Sequence, residues 1–128
     1  MTELERSVLI VDDDELNRLL LEHMVRQLGL RPLSAADGES AVRACAAQRF
    51  ALIMMDRRMP GLDGYQALAR IRAAEAAAGH LPVPAILLSG DLDRPGDASP
   101  ADAGFVGALL KPFRLEDLSA LVGRVLGA

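Results

Sequence analysis

What this sequence has little of narrows its chemistry before any motif is read. Among 128 residues there is a single cysteine, Cys45, so no internal disulfide can form and a reducing compartment fits. Basic residues are in deficit: 14 Lys and Arg against 18 Asp and Glu leave a formal net charge of −4. A nucleic-acid partner would require the opposite balance, because phosphate backbones are bound through a cationic footprint. No apolar run approaches the ~18 residues of a membrane-crossing helix, and no secretion signal stands at the N-terminus. A soluble, cytoplasmic protein with no membrane partner is the expectation. Linkers, repeats and low-complexity tracts are also missing, which points to one domain over residues 1–128, core about 7–126, with no output domain. At 51% apolar and 25% charged, the chain is ordinary for a packed domain of this length.

What is there centres on residues 51–64, ALIMMDRRMPGLDG. Ala51 to Met55 run without a polar break and stop at one carboxylate, Asp56. A short apolar run ending in turn residues reads as a strand buried on both faces. Met59-Pro60-Gly61 forces a loop, because proline removes a donor and glycine accepts backbone angles that other residues resist. Asp63 is a good N-cap for a helix starting at Gly64. Asp56 is thereby lifted to the carboxyl edge of a sheet, where open α/β sheets bind ligands.

The rest alternates strand and helix. Ser7 to Val11 is a second buried strand, ending in Asp12, Asp13 and Asp14, the last able to cap the following helix. In Glu15 to Leu28 the apolar residues Leu16, Leu19, Leu20, Met24 and Leu28 recur at helical spacing, and Gly29 ends the helix. Arg31 to Ala36 reads as a less apolar strand near an edge. Asp37-Gly38 opens a helix to about Gln48, with Val42 and Cys45 inward. The helix from Gly64 to about Ala78 turns Leu68 and Ile71 to the sheet, with Gly79 as its C-cap. Pro84 to Leu88 is a buried strand ending at Ser89-Gly90. Pro95, Gly96 and Pro100 make any helix over 91–103 short, late-starting or frayed. Val106 to Leu110 is a last strand, ending at Lys111-Pro112. Leu115 to Leu126 is an amphipathic helix with Leu115, Leu118, Leu121, Val122, Val125 and Leu126 on one stripe. Five strand–helix units with right-handed crossovers give a parallel sheet covered on both faces.

Four of these strands end in polar groups on one edge: Asp12 and Asp13, Asp56, Ser89, and Lys111. Crowded carboxylates raise one another's pKa unless a cation joins them. A hard divalent ion with oxygen ligands, Mg²⁺, suits such a site and would let a phosphoryl group approach it. Lys111 adds a compact positive charge and Ser89 a hydroxyl donor, both useful on phosphoryl oxygens. Carboxylate, metal, lysine and hydroxyl together can form an aspartyl phosphate.

VLIVDDD, MMDRRMPGLDG, LLSG and LLKPF, in this order and spacing over roughly Ser7 to Leu126, resemble the response-regulator receiver domain. The resemblance implies a five-stranded, doubly wound, flavodoxin-like fold. It implies that Asp56 is the phosphoacceptor, that Asp12, Asp13, Asp56 and the main-chain carbonyl of Arg58 hold Mg²⁺, and that Ser89 and Lys111 contact the phosphoryl group. It further implies a cis Lys111-Pro112 bond and a phosphohistidine donor on a sensor histidine kinase or histidine phosphotransfer protein. RIRAAEAAAGHLPVPAILLSG particularly resembles receivers attached to hybrid kinases. Such a domain is a signalling phosphoacceptor that also dephosphorylates itself, not an enzyme acting on a separate substrate.

Two departures bear on output. The family usually places Tyr or Phe three residues before the lysine, where this chain has Ala108; Phe105 and Phe113 are not at the matching place. The helix after Ser89 is the one broken by Pro95, Gly96 and Pro100, so activation is expected to be read through reordering of residues 91–103. Arg57 and Arg58 read as solvated loop charges, with a lesser possibility that Arg58 and Asp91 gate water at the site. Cys45 and the methionines read as packing, and His23 and His80 lack partners. Two other classes stand beside the phosphoacceptor. In one, Asp12 and Asp14 form the D-x-D of a haloacid-dehalogenase-like phosphatase, leaving Asp56 idle. In the other, a receiver-like adaptor binds partners without phosphorylation.

Overall fold

Five short segments form the strands of one sheet: β1 (Ser7–Val11), β2 (Arg31–Ala35), β3 (Leu52–Asp56), β4 (Ala85–Ser89) and β5 (Gly107–Leu110). Between and after them run α1 (Glu15–Gln27), α2 (Gly38–Ala47), α3 (Gly64–Ala78) and α4 (Leu115–Leu126). The computed structural model describes residues 6–90 and 99–127. All pairings are parallel, in the order β2-β1-β3-β4-β5. The chain moves outward from β1 to β2, then crosses to the other side of β1 for β3, and so creates a switch point between β1 and β3. Asp12 follows β1 and Asp56 ends β3, both at the carboxyl edge of that crevice, where such sheets bind ligands.

Period-two alternation divides the core into two layers. Val8, Ile10, Leu52, Met54, Ile86 and Leu88 pack with Leu21, Met24 and Val25 of α1 and Leu118, Leu121 and Val122 of α4. Leu9, Val11, Ile53, Met55, Ala85 and Leu87 pack with Ala41 of α2 and Ala67, Leu68 and Ile71 of α3. β3 and β4 are buried at every position, as unbroken apolar runs demand, while β2 is half-exposed and lies at an edge.

The caps fall where the sequence puts them. Asp14 accepts from the amides of Leu16 and Asn17, and Asp63 and Gln66 form a reciprocal capping box at α3. Gly79 ends α3 in the left-handed region. Gly64 answers a different need: a Cβ there would lie 2.2 Å from the main-chain oxygen of Asp56. Only glycine lets α3 start that close to the end of β3. The α3–β4 connection is pinned by buried Glu75, which accepts from Arg72 Nη1 at 2.8 Å and from the Val83 amide at 2.9 Å.

Two expectations change. The apolar stripe assigned to α1 has the wrong phase: Leu16, Leu19 and Leu20 are 76%, 53% and 42% exposed, whereas Leu21, Met24 and Val25 are buried. The helix carries two overlapping sets at i, i+3, i+4 spacing, and the sheet takes the second; Met24 and Leu28 belong to it. β5 is shorter than expected, and Leu109 is its buried residue while Val106 and Leu110 are exposed. Most of the segment expected as a short or frayed helix over 91–103 lies outside the described residues. Its end, residues 99–104, is a turn closed by the Phe105 amide donating to Pro100 O at 3.0 Å.

Candidate functional site

The carboxyl edge holds a cavity of about 300 Å³ lined by Asp12, Asp13, Asp14, Asn17, Asp56, Arg57, Arg58, Ser89, Gly90 and Lys111. Every side chain expected at the site from sequence is on that lining. Four strand ends deliver them, and parallel pairing fixes their relative heights. Met55 pairs with Val11 one residue below the acids, and Asp56 pairs with Leu88 just before Ser89. Lys111 donates its amide to Ser89 O at 2.8 Å, tying the last two strand ends together, and its aliphatic stem passes Gly90.

The acids converge. Asp12, Asp13 and Asp56 each present an oxygen within 4.8 Å of the others. Asp12 is fully buried, and its Oδ2 has no hydrogen-bond partner among the described residues. An ionised oxygen buried without a donor is costly, and a cation is the usual remedy. Lys111 Nζ supplies part of it from 3.8 Å, beyond hydrogen-bonding range, and lies 3.4 Å from Asp56 Oδ1. Burial, then the charge of Asp12, pushes the Asp56 carboxyl up to about 6, against the opposing pull of Lys111. The donor set (three carboxylates, all oxygen, with one unpartnered atom) fits a hard divalent cation.

The β1–α1 loop is braced to hold this geometry. The Asp12 amide donates to Ala35 O at 3.2 Å, and the Asp14 amide donates to Asp12 Oδ1 at 2.9 Å. Arg18 Nη1 reaches back to Asp12 O at 2.8 Å. That brace went unread in the sequence, as did Asn17 on the lining. Asp14 is engaged in capping α1, so Asp12 and Asp14 do not act as the pair that the phosphatase reading requires. Arg57 also departs from expectation: it is 9% exposed, with its guanidinium carbon 4.7 Å from the centroid of the Tyr65 ring. Nothing in the dipeptide Arg57-Arg58 signals this, since the partner ring comes from the next helix. Arg58 is exposed, and Asp91 lies outside the described residues. A signal that was available is that Lys111 is the chain's only lysine among 14 basic residues. The Lys111-Pro112 bond is cis, as expected. Cys45 packs against the α2–α3 layer, and burial pushes its thiol up to about 11, which suits packing and not reactivity.

Comparison with known proteins bears on the family and the fold. The response regulator receiver domain family matches residues 8–123. The sensor protein GacS of Pseudomonas syringae pv. syringae is 33% identical over 115 residues, which cover 90% of this chain and 13% of that protein. The chain spans between 6% and 13% of the length of the first curated sensor proteins it matches. The receiver domain of sensor histidine kinase PA1611 from Pseudomonas aeruginosa, solved with magnesium in its active-site cleft, superposes with a TM-score of 0.83. It is 35% identical, over 96% of this chain and 98% of that one. The receiver domain of Ssk1 from Saccharomyces cerevisiae, solved with the histidine phosphotransfer protein Ypd1, gives 0.82 at 27% identity, covering 91% and 86%. With the motifs, the doubly wound sheet and the family match in agreement over nearly its whole length, the chain belongs to the response regulator receiver domain family.

Proposed function

We propose that this receiver accepts a phosphoryl group on Asp56 from a phosphohistidine of a sensor kinase or histidine phosphotransfer protein. The observation that carries the reading is the convergence of Asp12, Asp13 and Asp56 around a buried oxygen unpartnered among the described residues, with Lys111 Nζ 3.4 Å from Asp56. Asp12, Asp13, Asp56 and the main-chain carbonyl of Arg58 would hold Mg²⁺, which when bound offsets carboxylate repulsion and screens the incoming phosphoryl oxygens. A carboxylate oxygen of Asp56 attacks phosphorus. The bond from phosphorus to the donor imidazole nitrogen breaks, and its electron pair returns to that nitrogen. Lys111 pairs with the charge on the transferred group and Ser89 donates its hydroxyl to it. Burial of Asp56 limits the water that can later cleave the acyl phosphate. The cytoplasm, where such donors act, also fits the lone unreactive Cys45.

The donor would dock beside the pocket, on the exposed Leu16, Leu19 and Leu20 of α1, the helix that leaves the acidic loop. Contiguous exposed leucines on a helix read as a partner surface. Signal output would pass through residues 91–103, with Arg58 and Asp91 controlling water access.

Ala108, lacking the family's aromatic, favours a second reading: an adaptor that binds partners without being phosphorylated. Incubation with acetyl phosphate and Mg²⁺, read by intact mass, separates the two. The phosphoacceptor reading expects one added phosphoryl group on the wild type and Asp12→Asn at reduced rate, and none on Asp56→Asn. An unmodified wild type would establish the adaptor.

A further inference from the structure

Arg57 follows the acceptor directly and lines the same pocket as Asp56, Ser89 and Lys111. Its buried guanidinium lies over Tyr65, in the first turn of α3. Tyr65 contacts Phe105, with ring centroids 5.7 Å apart and planes tilted by 41°. Phe105 is 4% exposed, closes the 99–104 turn and leads into β5, where Val106 donates to Ala85 O at 2.9 Å. A cation and two rings thus run without a break from the pocket to the entry of β5. They do so in a chain whose β5 carries Ala108 where an aromatic would otherwise link pocket and strand.

We propose that Arg57 is a second phosphoryl-binding cation, and that its transfer from the Tyr65 ring to the phosphoryl oxygens carries the signal to Phe105. The proposal rests on Asp56 being the phosphoacceptor. Over a ring, a guanidinium is held by attraction to the ring's negative face. A phosphoryl group on the adjacent residue offers full negative charge and paired acceptors matching the planar fork of arginine, a stronger partner. Phosphorylation therefore changes which partner Arg57 prefers, the differential affinity that any ligand-driven shift requires. A Tyr65 ring without its cation repacks against Phe105, and the 99–104 turn moves with it.

The chain holds one tyrosine and no tryptophan, so its intrinsic emission reports on Tyr65 alone. Beryllofluoride with Mg²⁺ serves as the phosphoryl mimic, its binding followed by fluorine NMR and the turn by amide exchange at 104–106. In the wild type, binding changes tyrosine emission and exchange protection at 104–106. Arg57→Met binds the mimic about tenfold more weakly, having lost one charge-assisted hydrogen bond, and at saturation neither signal responds. Tyr65→Leu binds it more tightly than the wild type, because the competing ring is gone, while exchange at 104–106 no longer responds. A purely structural role for the ring gives no such tightening. A bound fluorine resonance with unchanged wild-type tyrosine emission overturns this proposal and leaves the phosphoacceptor reading intact. No bound resonance in the wild type overturns both. Should Arg57→Met fail to fold, the wild-type emission and the Tyr65→Leu affinity decide.

Discussion

At the residue scale, Asp56 combines burial, a neighbouring carboxylate and a nearby ammonium. With its carboxyl pushed up to about 6, the folded protein holds a proton that the unfolded chain releases near 3.8. The folded state is thus favoured while the group is protonated, and that advantage is lost as pH rises through about 6. Without divalent metal, wild-type stability should fall between pH 5 and pH 7 by on the order of 1 kcal/mol more than that of Asp56→Asn, since most of the change from a carboxyl pushed up to about 6 falls in that window. Thermal melts at the two pH values in the presence of a chelator check this; parallel behaviour of the two proteins would contradict it. The placing of Asp12, Asp56, Ser89 and Lys111 on one pocket was legible because each of them follows an apolar run and the runs are countable. Arg57 was not, because its burial depends on a ring eight residues later that only the turn into α3 brings over it.

At the element scale, α1 and α3 make opposite demands on their residues. The packing face of α1 is Leu21, Met24 and Val25, so Leu21→Ala should cost about 2–5 kcal/mol in denaturant unfolding. Leu16→Ser and Leu19→Ser should change stability by no more than about 0.5 kcal/mol, since both side chains already face water. The same two variants should slow phosphoryl transfer from a phosphohistidine protein while leaving the rate with acetyl phosphate unchanged. Equal slowing with both donors would place the defect in the pocket and not in docking. For α3, Gly64→Ala drives a methyl group into the Asp56 carbonyl and should cost more than about 2 kcal/mol. Periodicity revealed that α1 is a helix but not which face turns inward, because two leucine-rich stripes fit the same spacing. Only the sheet beneath chooses between them. The caps, by contrast, are local chemistry, and Asp14, Asp63 and Gly79 could be read directly.

At the scale of the whole molecule, the strand order turns scattered acids into one site. Asp12 and Asp56 are 44 positions apart, yet β1 and β3 are neighbours because the chain reverses its winding direction between them. Alternating apolar runs and amphipathic helices made the parallel, doubly wound class legible, and burial on both faces of β3 and β4 follows from their unbroken apolar runs. The same topology places the only lysine at the end of β5, two strands from β3 but with its ammonium 3.4 Å from Asp56.

The most direct test of the central claim is to locate the phosphoryl group. Protein treated with acetyl phosphate and Mg²⁺ is reduced with borohydride, which converts an aspartyl phosphate to homoserine, and the modified residue is read by peptide mass spectrometry. Conversion at residue 56 alone is the expected result. Conversion at residue 12 or 13, or none at all, would contradict the account.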